Sequence, residues 1–179
     1  MTAKQVKPGS KIVYATLGAL LIVTAALVLM NRGDAGLRKA LEENREFQIK
    51  VDREVRIVVG LQDLLDMDPE EFTTTLASSA GLPREVTLKG VELRRILEAY
   101  RLDITDAQTV VFSGLDGYYS PLTREEVEKE KSIYVCFSMD GEILRKQGDG
   151  GYGPFMMVIR GSRYAQRWCK YVESVEIKS

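Results

Sequence analysis

Residues 133–144 read IYVCFSMDGEIL, a run of β-branched and aromatic residues followed by the dipeptide Asp140-Gly141. Such side chains favour extended backbone. An Asp-Gly pair between two apolar runs is typical of a two-residue hairpin turn. The stretch therefore predicts a strand over Ile133–Met139 that turns back into residues 142–144.

Short extended segments occur on both sides of this hairpin. Apolar and polar residues alternate through residues 47–60, which is typical of a strand. Its apolar face is predicted to consist of Phe47, Ile49, Val51, Val55, Ile57 and Val59. Further strands are predicted over residues 72–76, 86–88, 109–112, 118–122, 155–159 and 171–177.

Helical patterns are fewer than strand patterns. A helix is predicted over Val91–Tyr100, with Leu93, Ile96 and Leu97 on its inner face. Thr123 followed three residues later by Glu126 is typical of a capping box at a helix start. Because strands outnumber helices and several strands are joined by hairpins, the predicted fold class is α+β with a mixed β-sheet.

Composition excludes several kinds of site. The 179-residue chain has 25 Lys+Arg, 26 Asp+Glu and no histidine. Catalytic triads or dyads with histidine and histidine-ligated zinc or haem are therefore ruled out. Two cysteines are too few for a four-cysteine metal site. A near-neutral balance of charge also lacks the basic excess of a general nucleic-acid binder, so no nucleic-acid partner is expected.

The N-terminal region has a different character from the rest. An uncharged apolar run extends from Ile12 to Met30 and is preceded by three lysines. At about 1.5 Å rise per residue its helical length approaches the ~30 Å of a bilayer core. We predict a cytoplasmic N-terminus over 1–11, a transmembrane anchor over 12–31, a stalk or short helix over 32–46 and a domain over 47–179. A cleaved signal peptide and a buried core helix are the alternatives.

The preceding lysines also predict the orientation of the anchor, because positive flanks stay in the cytoplasm. The chain is expected to be a single-pass protein of the cell membrane whose C-terminal domain is extracytoplasmic, in a bacterium or archaeon. That compartment permits disulfides. Cys136 and Cys169 form a disulfide there or are separate small buried residues, and the sequence leaves both readings open.

Five segments of the second half have the order and spacing of a known family. They are Gly90-Val91-Glu92-Leu93, Val110-Val111-Phe112 with Asp116-Gly117-Tyr118, Leu122 with Glu125-Glu126, Phe137 through Leu144, and Gly153-Pro154 through Gly161, Tyr164, Arg167 and Trp168. Together they resemble the oxidoreductase molybdopterin-binding domain of the sulfite oxidase family, over about residues 55–178. The resemblance implies a mixed-sheet, sulfite-oxidase-like fold and molybdopterin as the candidate cofactor.

The resemblance does not extend to the metal ligand. Active family members bind molybdenum through a cysteine thiolate, in a segment that corresponds to residues 75–81 here. That segment contains no cysteine, and the stretch that commonly carries a histidine, residues 147–154, has none. A serine hydroxyl is a harder and far less acidic ligand than a thiol. No catalytic residue and no metal ligand are therefore assigned.

In the family, the loop after the late strand helps to hold the pterin and its phosphate. The corresponding residues give the candidate cofactor-binding set Arg160, Gly161, Ser162, Arg163, Tyr164 and Arg167. Arginines, a Gly-Ser pair and aromatic rings suit an anion that carries a planar ring. The alternative is a solvated loop whose arginines pair with surface acids while Trp168 lies in the core.

Two functional hypotheses follow, and whether the chain is an enzyme stays open between them. In the first, the membrane-anchored domain is a degenerate, non-catalytic module that binds a ligand or a partner within a membrane redox or transport complex. In the second, it is a molybdopterin-dependent oxidoreductase with an atypical metal site lacking cysteine. The missing cysteine and histidines favour the first, since a fold does not fix a function.

Overall fold

The computed structural model describes residues 13–14, 16–25, 39–76, 83–162 and 165–179. They belong to two units, one within residues 1–40 and one from Leu41 to Ser179. In the first unit, residues 13–14 and 16–25 are helical, and the Thr24 hydroxyl donates to the Leu20 carbonyl at 2.8 Å. Within the described ranges, no helix has both the length and the hydropathy of a membrane span. Part of the predicted anchor, including residues 26–31, lies outside those ranges.

Among the described residues of the second unit, helical residues 41–44 precede ten strands, three short α-helices and two 3-10 turns. In chain order the strands and α-helices are β1 (Glu46–Val51), β2 (Glu54–Gly60), α1 (Leu61–Asp66), β3 (Glu70–Leu76), β4 (Arg84–Glu92), α2 (Leu93–Ala99), β5 (Thr109–Gly114), β6 (Tyr119–Leu122), α3 (Arg124–Glu128), β7 (Ile133–Met139), β8 (Glu142–Ile143), β9 (Met156–Ile159) and β10 (Val172–Lys178).

The strands form two five-stranded sheets. The first has the order β2-β1-β10-β5-β6, and its β1–β10 pair is parallel while its other pairs are antiparallel. The second has the order β3-β4-β7-β8, with β9 also paired to β7. One hydrophobic cluster contains residues of both sheets, and the Phe47 ring contacts the Phe155 ring edge-on at 5.2 Å. The predicted α+β class with a mixed sheet is confirmed.

The predicted hairpin after β7 is also confirmed. Asp140 and Gly141 have positive φ angles of 52° and 84°, as a tight turn between antiparallel strands requires. The Asp140 carboxylate accepts a bond from the Thr87 amide at 2.9 Å and one from Arg84 at 3.1 Å. The turn is therefore tied to β4 as well as to its own strands.

The prediction of one strand over residues 47–60 is wrong. The chain turns at Asp52-Arg53, both with positive φ, and gives the hairpin β1–β2. The pairing register shifts within this hairpin. Ile49 pairs with Ile57, but the next residue, Lys50, pairs with Val55, so Arg56 is left without a partner on β1. The extra residue in β2 is a bulge, which reverses the alternation beyond it. Val55 consequently lies on the side of Lys50 and is 49% exposed, away from the predicted apolar face.

The predicted helix over Val91–Tyr100 begins later than expected. Val91 and Glu92 pair with Val135 and Tyr134 as the end of β4, so the helix starts at Leu93. Leu93, Ile96 and Leu97 are buried as predicted. Strand pairing with β7 thus takes priority over the helical pattern at these two positions.

The capping box of α3 is confirmed. The Thr123 hydroxyl accepts from the Glu126 amide at 3.3 Å, and the Glu126 carboxylate accepts from the Thr123 amide at 3.0 Å. These reciprocal bonds satisfy two amide groups at the helix start.

Gly90 permits the close approach of β4 to β7. A Cβ at this position would lie 2.4 Å from the Val135 carbonyl oxygen and 2.7 Å from the Cys136 Cα, and both are backbone atoms. We expect Gly90→Ala to lower the free energy of unfolding by about 1–3 kcal/mol, because the strands must separate to admit the methyl group. Urea unfolding measures this loss.

Gly148→Ala is the matched control, since a Cβ at Gly148 meets no atom within 4 Å. Equal stability losses for the two variants would contradict the close approach as the cause.

Candidate ligand cleft

The segment that follows β9 forms a tight turn. The Arg160 amide donates to the Ser132 carbonyl at 2.7 Å, and the Ser162 amide donates to the Ile159 carbonyl at 3.3 Å. Gly161 between them has φ +77°, a conformation that glycine adopts without strain. This turn presents residues 160–162 as one wall of a surface cleft.

The Arg160 guanidinium is held over aromatic rings. Its central carbon lies 5.0 Å from the centroid of Phe72 and 5.9 Å from that of Tyr134. Such an arrangement is a cation–π contact, which orients the charge without neutralising it. Among the described residues, no carboxylate lies within ion-pair distance of Arg160. Its positive charge therefore remains available to a ligand.

The tyrosine beneath this cation is itself fixed by a carboxylate. The Tyr134 hydroxyl donates to Glu70 at 3.0 Å, and the Glu70 carboxylate lies 3.8 Å from Arg95. Burial raises the pKa of Tyr134, a hydrogen bond with Arg160 opposes this rise and the hydrogen bond to Glu70 adds to it, so the phenol stays neutral. Arg160 consequently rests on an uncharged ring.

The cleft has a volume of about 570 Å³, and four of its seven described lining residues carry a hydroxyl group. Its described lining consists of Thr73, Thr74, Thr75, Pro83, Arg160, Gly161 and Ser162. The single charge in this set is the guanidinium of Arg160. Hydroxyls and a guanidinium are donors to anionic or strongly polar groups.

Three of the predicted cofactor-binding residues, Arg160, Gly161 and Ser162, line the cleft, whereas its opposite wall is not among the predicted residues. Three consecutive threonines directly before the segment 75–81 were the available signal. Phe72, which supports Arg160, is predicted from the sequence only as the first residue of the strand over residues 72–76. Arg163 and Tyr164, also predicted as cofactor-binding residues, lie outside the described residues.

Arg167 has a different environment from Arg160. Its guanidinium donates to both oxygens of Glu126, at 2.7 and 3.0 Å, and to the Pro121 carbonyl at 3.1 Å. The Ser120 hydroxyl donates to the Arg167 carbonyl at 2.7 Å, and Tyr118 donates to the Gln166 carbonyl at 2.6 Å. Arg167 thus fixes the turn over residues 165–167 to β6 and α3, and it does not appear in the lining of the cleft.

Trp168 and both cysteines are buried away from solvent. Trp168 is 4% exposed and belongs to the hydrophobic core. Cys136 and Cys169 are free thiols, so the disulfide alternative does not hold in this structure. Burial raises the pKa of Cys169 to about 12, with nearby Asp116 as a second cause, and burial raises the pKa of Cys136 further still. Neither thiol lines the cleft.

Comparison with known proteins is consistent with this fold. The family model described as "Oxidoreductase molybdopterin binding domain" matches residues 38–179. The chain belongs to this family. The resemblance found in the sequence is therefore confirmed. A search of curated proteins gives no match.

A solved structure shares the fold. The sulfane dehydrogenase SoxCD from Paracoccus pantotrophus superposes with a TM-score of 0.61 and 19% sequence identity. The match covers 74% of this chain and 38% of the SoxCD chain. This chain thus spans well under half of that protein's length. At this identity the likeness concerns the fold alone.

The cleft fits one part of a molybdopterin and not the other. The Arg160 guanidinium, the threonine hydroxyls and the Gly161-Ser162 turn suit a phosphate or another polar group. A protein thiolate for molybdenum is lacking, because the chain's two cysteines lie in the core. Within the described ranges, no group of three or more acidic or cysteine side chains is arranged to hold a metal ion.

The Arg167–Glu126 pair is expected to stabilise the domain. The hydrogen bond from Arg167 holds the pKa of Glu126 below its ordinary value of 4.5. The stabilisation is therefore complete above pH 4.5 and is lost as the pH falls through the lowered pKa. We expect a coupling energy of about 1 kcal/mol at pH 7 in a cycle of Arg167→Gln and Glu126→Gln, measured by urea unfolding.

Arg56 and Glu54 form the control pair, with 55% and 72% of their side chains exposed. Their coupling energy should be smaller because solvent screens the charges. A coupling between Arg167 and Glu126 that is no larger, or that persists unchanged at pH 3, would contradict the assignment.

Proposed function

We propose that this protein is a membrane-anchored accessory module of a redox or transport system, in which the molybdopterin-binding-type domain binds a ligand or partner without carrying out molybdenum chemistry. Its domain would face the extracytoplasmic side. The binding site would be the cleft between β3 and residues 160–162.

The observation that carries this proposal is the separation of the thiols from the cleft. A cation and several hydroxyls line the cleft, while Cys136 and Cys169 are buried in the core. Hydroxyls and a guanidinium bind polar ligands but do not replace a soft thiolate at a metal. The chemistry left to this site is recognition.

The second candidate is a molybdopterin-dependent oxidoreductase with an atypical, cysteine-free metal site. The retained polar cleft favours it, because Arg160 and Ser162 come from the loop that the family uses near its pterin. Bound there, the cofactor would supply electron transfer. The residues of this chain would hold its phosphate and exclude part of the solvent.

The proposed anchor rests on the sequence. The run from Ile12 to Met30 contains no charged residue, and Lys4, Lys7 and Lys11 precede it. An apolar run of this length with positive flanks is typical of a single transmembrane helix with a cytoplasmic N-terminus.

Metal and pterin analysis distinguishes the two candidates. We expect the full-length chain, purified from its native host, to contain molybdenum and tungsten at far less than one atom per chain by elemental mass spectrometry. The physical reason is the absence of a thiolate ligand from the cleft. Fluorescence of the oxidised pterin is measured on the same sample.

Stoichiometric metal would refute the accessory function and establish the atypical enzyme. Pterin without metal would identify the ligand of the proposed module. The variant Arg160→Gln serves as the site control, since it should release a pterin that is bound in the cleft, whereas Arg56→Gln on β2 should retain it.

Membrane extraction tests the anchor. We expect the full-length chain to stay in the membrane pellet after an alkaline carbonate wash. The double variant Leu20→Arg and Leu21→Arg should appear in the soluble fraction, since each arginine costs about 3 kcal/mol at the centre of a span. Thr2→Arg, outside the run, is the control, and wild-type protein in the soluble fraction would overturn the prediction.

A further inference from the structure

The outer edge of β3 is a regular strand edge beside the cleft. β3 pairs with β4 through seven consecutive residues, Glu70–Leu76, without a register shift. On its other side, no described strand pairs with it. Free backbone donors and acceptors along such an edge are a template for another extended chain. Thr73, Thr74 and Thr75 cover about 10 Å of this edge at about 3.4 Å per residue.

The other described edges are blocked against strand addition. β2 carries a bulge at Arg56 together with the Arg56–Glu54 ion pair. β6 contains Pro121 and is covered by the turn over residues 165–167. The remaining edges are those of β8, which has two residues, and of β9, whose Met157 bonds with Cys169.

Apart from the Glu70–Arg95 ion pair at its first residue, β3 has none of these protections. The strand contains no proline, lysine or bulge, and three successive threonines favour extended backbone. An edge of this kind is normally covered in a native protein. Its occupant can be identified from the charge beside it.

The charge at this edge is the Arg160 guanidinium. It lies over Phe72 on one face of β3, and no described carboxylate pairs with it. Alternate side chains of an added strand would point to that face, next to Arg160 and Ser162. An acidic side chain in one of these positions would complete the ion pair that Arg160 lacks.

We propose that β3 receives an extended segment of a partner protein as an added strand, and that Arg160 binds an acidic side chain of that segment. The proposal rests on the function proposed above and names the chemistry of its partner. Main-chain bonds along β3 would supply affinity, and Arg160 would supply specificity.

The opposite face of β3 restricts the partner further. Glu71, Thr73 and Thr75 point to that face and are exposed, and Glu85 pairs with Thr75. Acidic residues on this side of the added strand would be repelled. The expected pattern is therefore an acid on the Arg160 side that alternates with neutral or basic residues on the other.

Peptide binding tests the proposal. The probe is a labelled nine-residue peptide of alternating threonine and valine with one central glutamate, and the matched probe has glutamine there. By fluorescence anisotropy we expect the full-length chain to bind the glutamate peptide about fivefold more tightly. Arg160→Gln should abolish this preference, and Arg160→Lys should keep part of it. Arg56→Gln should leave it unchanged.

Hydrogen exchange locates the binding. The amides of residues 70–76 should exchange at least about tenfold more slowly with peptide bound, while those of β2 should not change. Thr75→Lys should weaken both peptides, because a lysine at a strand edge opposes strand addition.

Three outcomes would overturn the proposal. The first is that the folded chain binds neither peptide at millimolar concentration. The second is that wild type and Arg160→Gln show the same preference. The third is a dimer in light scattering that Thr75→Lys dissociates, which would mean that a second copy occupies the edge. Metal analysis tests the accessory function separately from these three outcomes. If the protein contains no metal and binds no peptide, the strand-addition proposal fails but the accessory function does not.

Discussion

Strand β7 lies between β4 on one edge and β8 with β9 on the other, and all seven of its residues are buried. A strand in this position must satisfy backbone groups on both edges and pack side chains on both faces. Gly90 allows β4 to approach closely enough to do so. The turn at Asp140-Gly141 adds bonds back to β4. The register of the second sheet depends on this one buried strand.

The same strand sets the position of the cleft. Ser132 directly precedes β7, and its carbonyl accepts the Arg160 amide at the end of β9. Tyr134 on β7 and Phe72 on β3 provide the rings beneath the guanidinium. Arg160 is therefore fixed by three separate strands. The position of the Arg160 guanidinium therefore depends on how these strands pack together.

The two arginines described after β9 illustrate how packing assigns roles. Arg167 forms a two-point ion pair with Glu126 and stabilises the turn against α3. Arg160 contacts aromatic rings and keeps its charge free of described acids. Chemically identical side chains thus serve structure in one case and recognition in the other. Membership of the family does not fix the chemistry of this chain, because the described lining of its cleft contains no cysteine.

Features that depend only on neighbouring residues are predictable from the sequence. The Asp140-Gly141 turn and the Thr123–Glu126 capping box were predictable because each requires particular residues at a fixed short spacing. Family membership followed from several such segments in order. Two other features, the bulge that turns Val55 outward and the contact of Arg160 with Phe72, are not predictable in this way. Both depend on which strands pair and in what register, and local periodicity carries no information about pairing between distant segments.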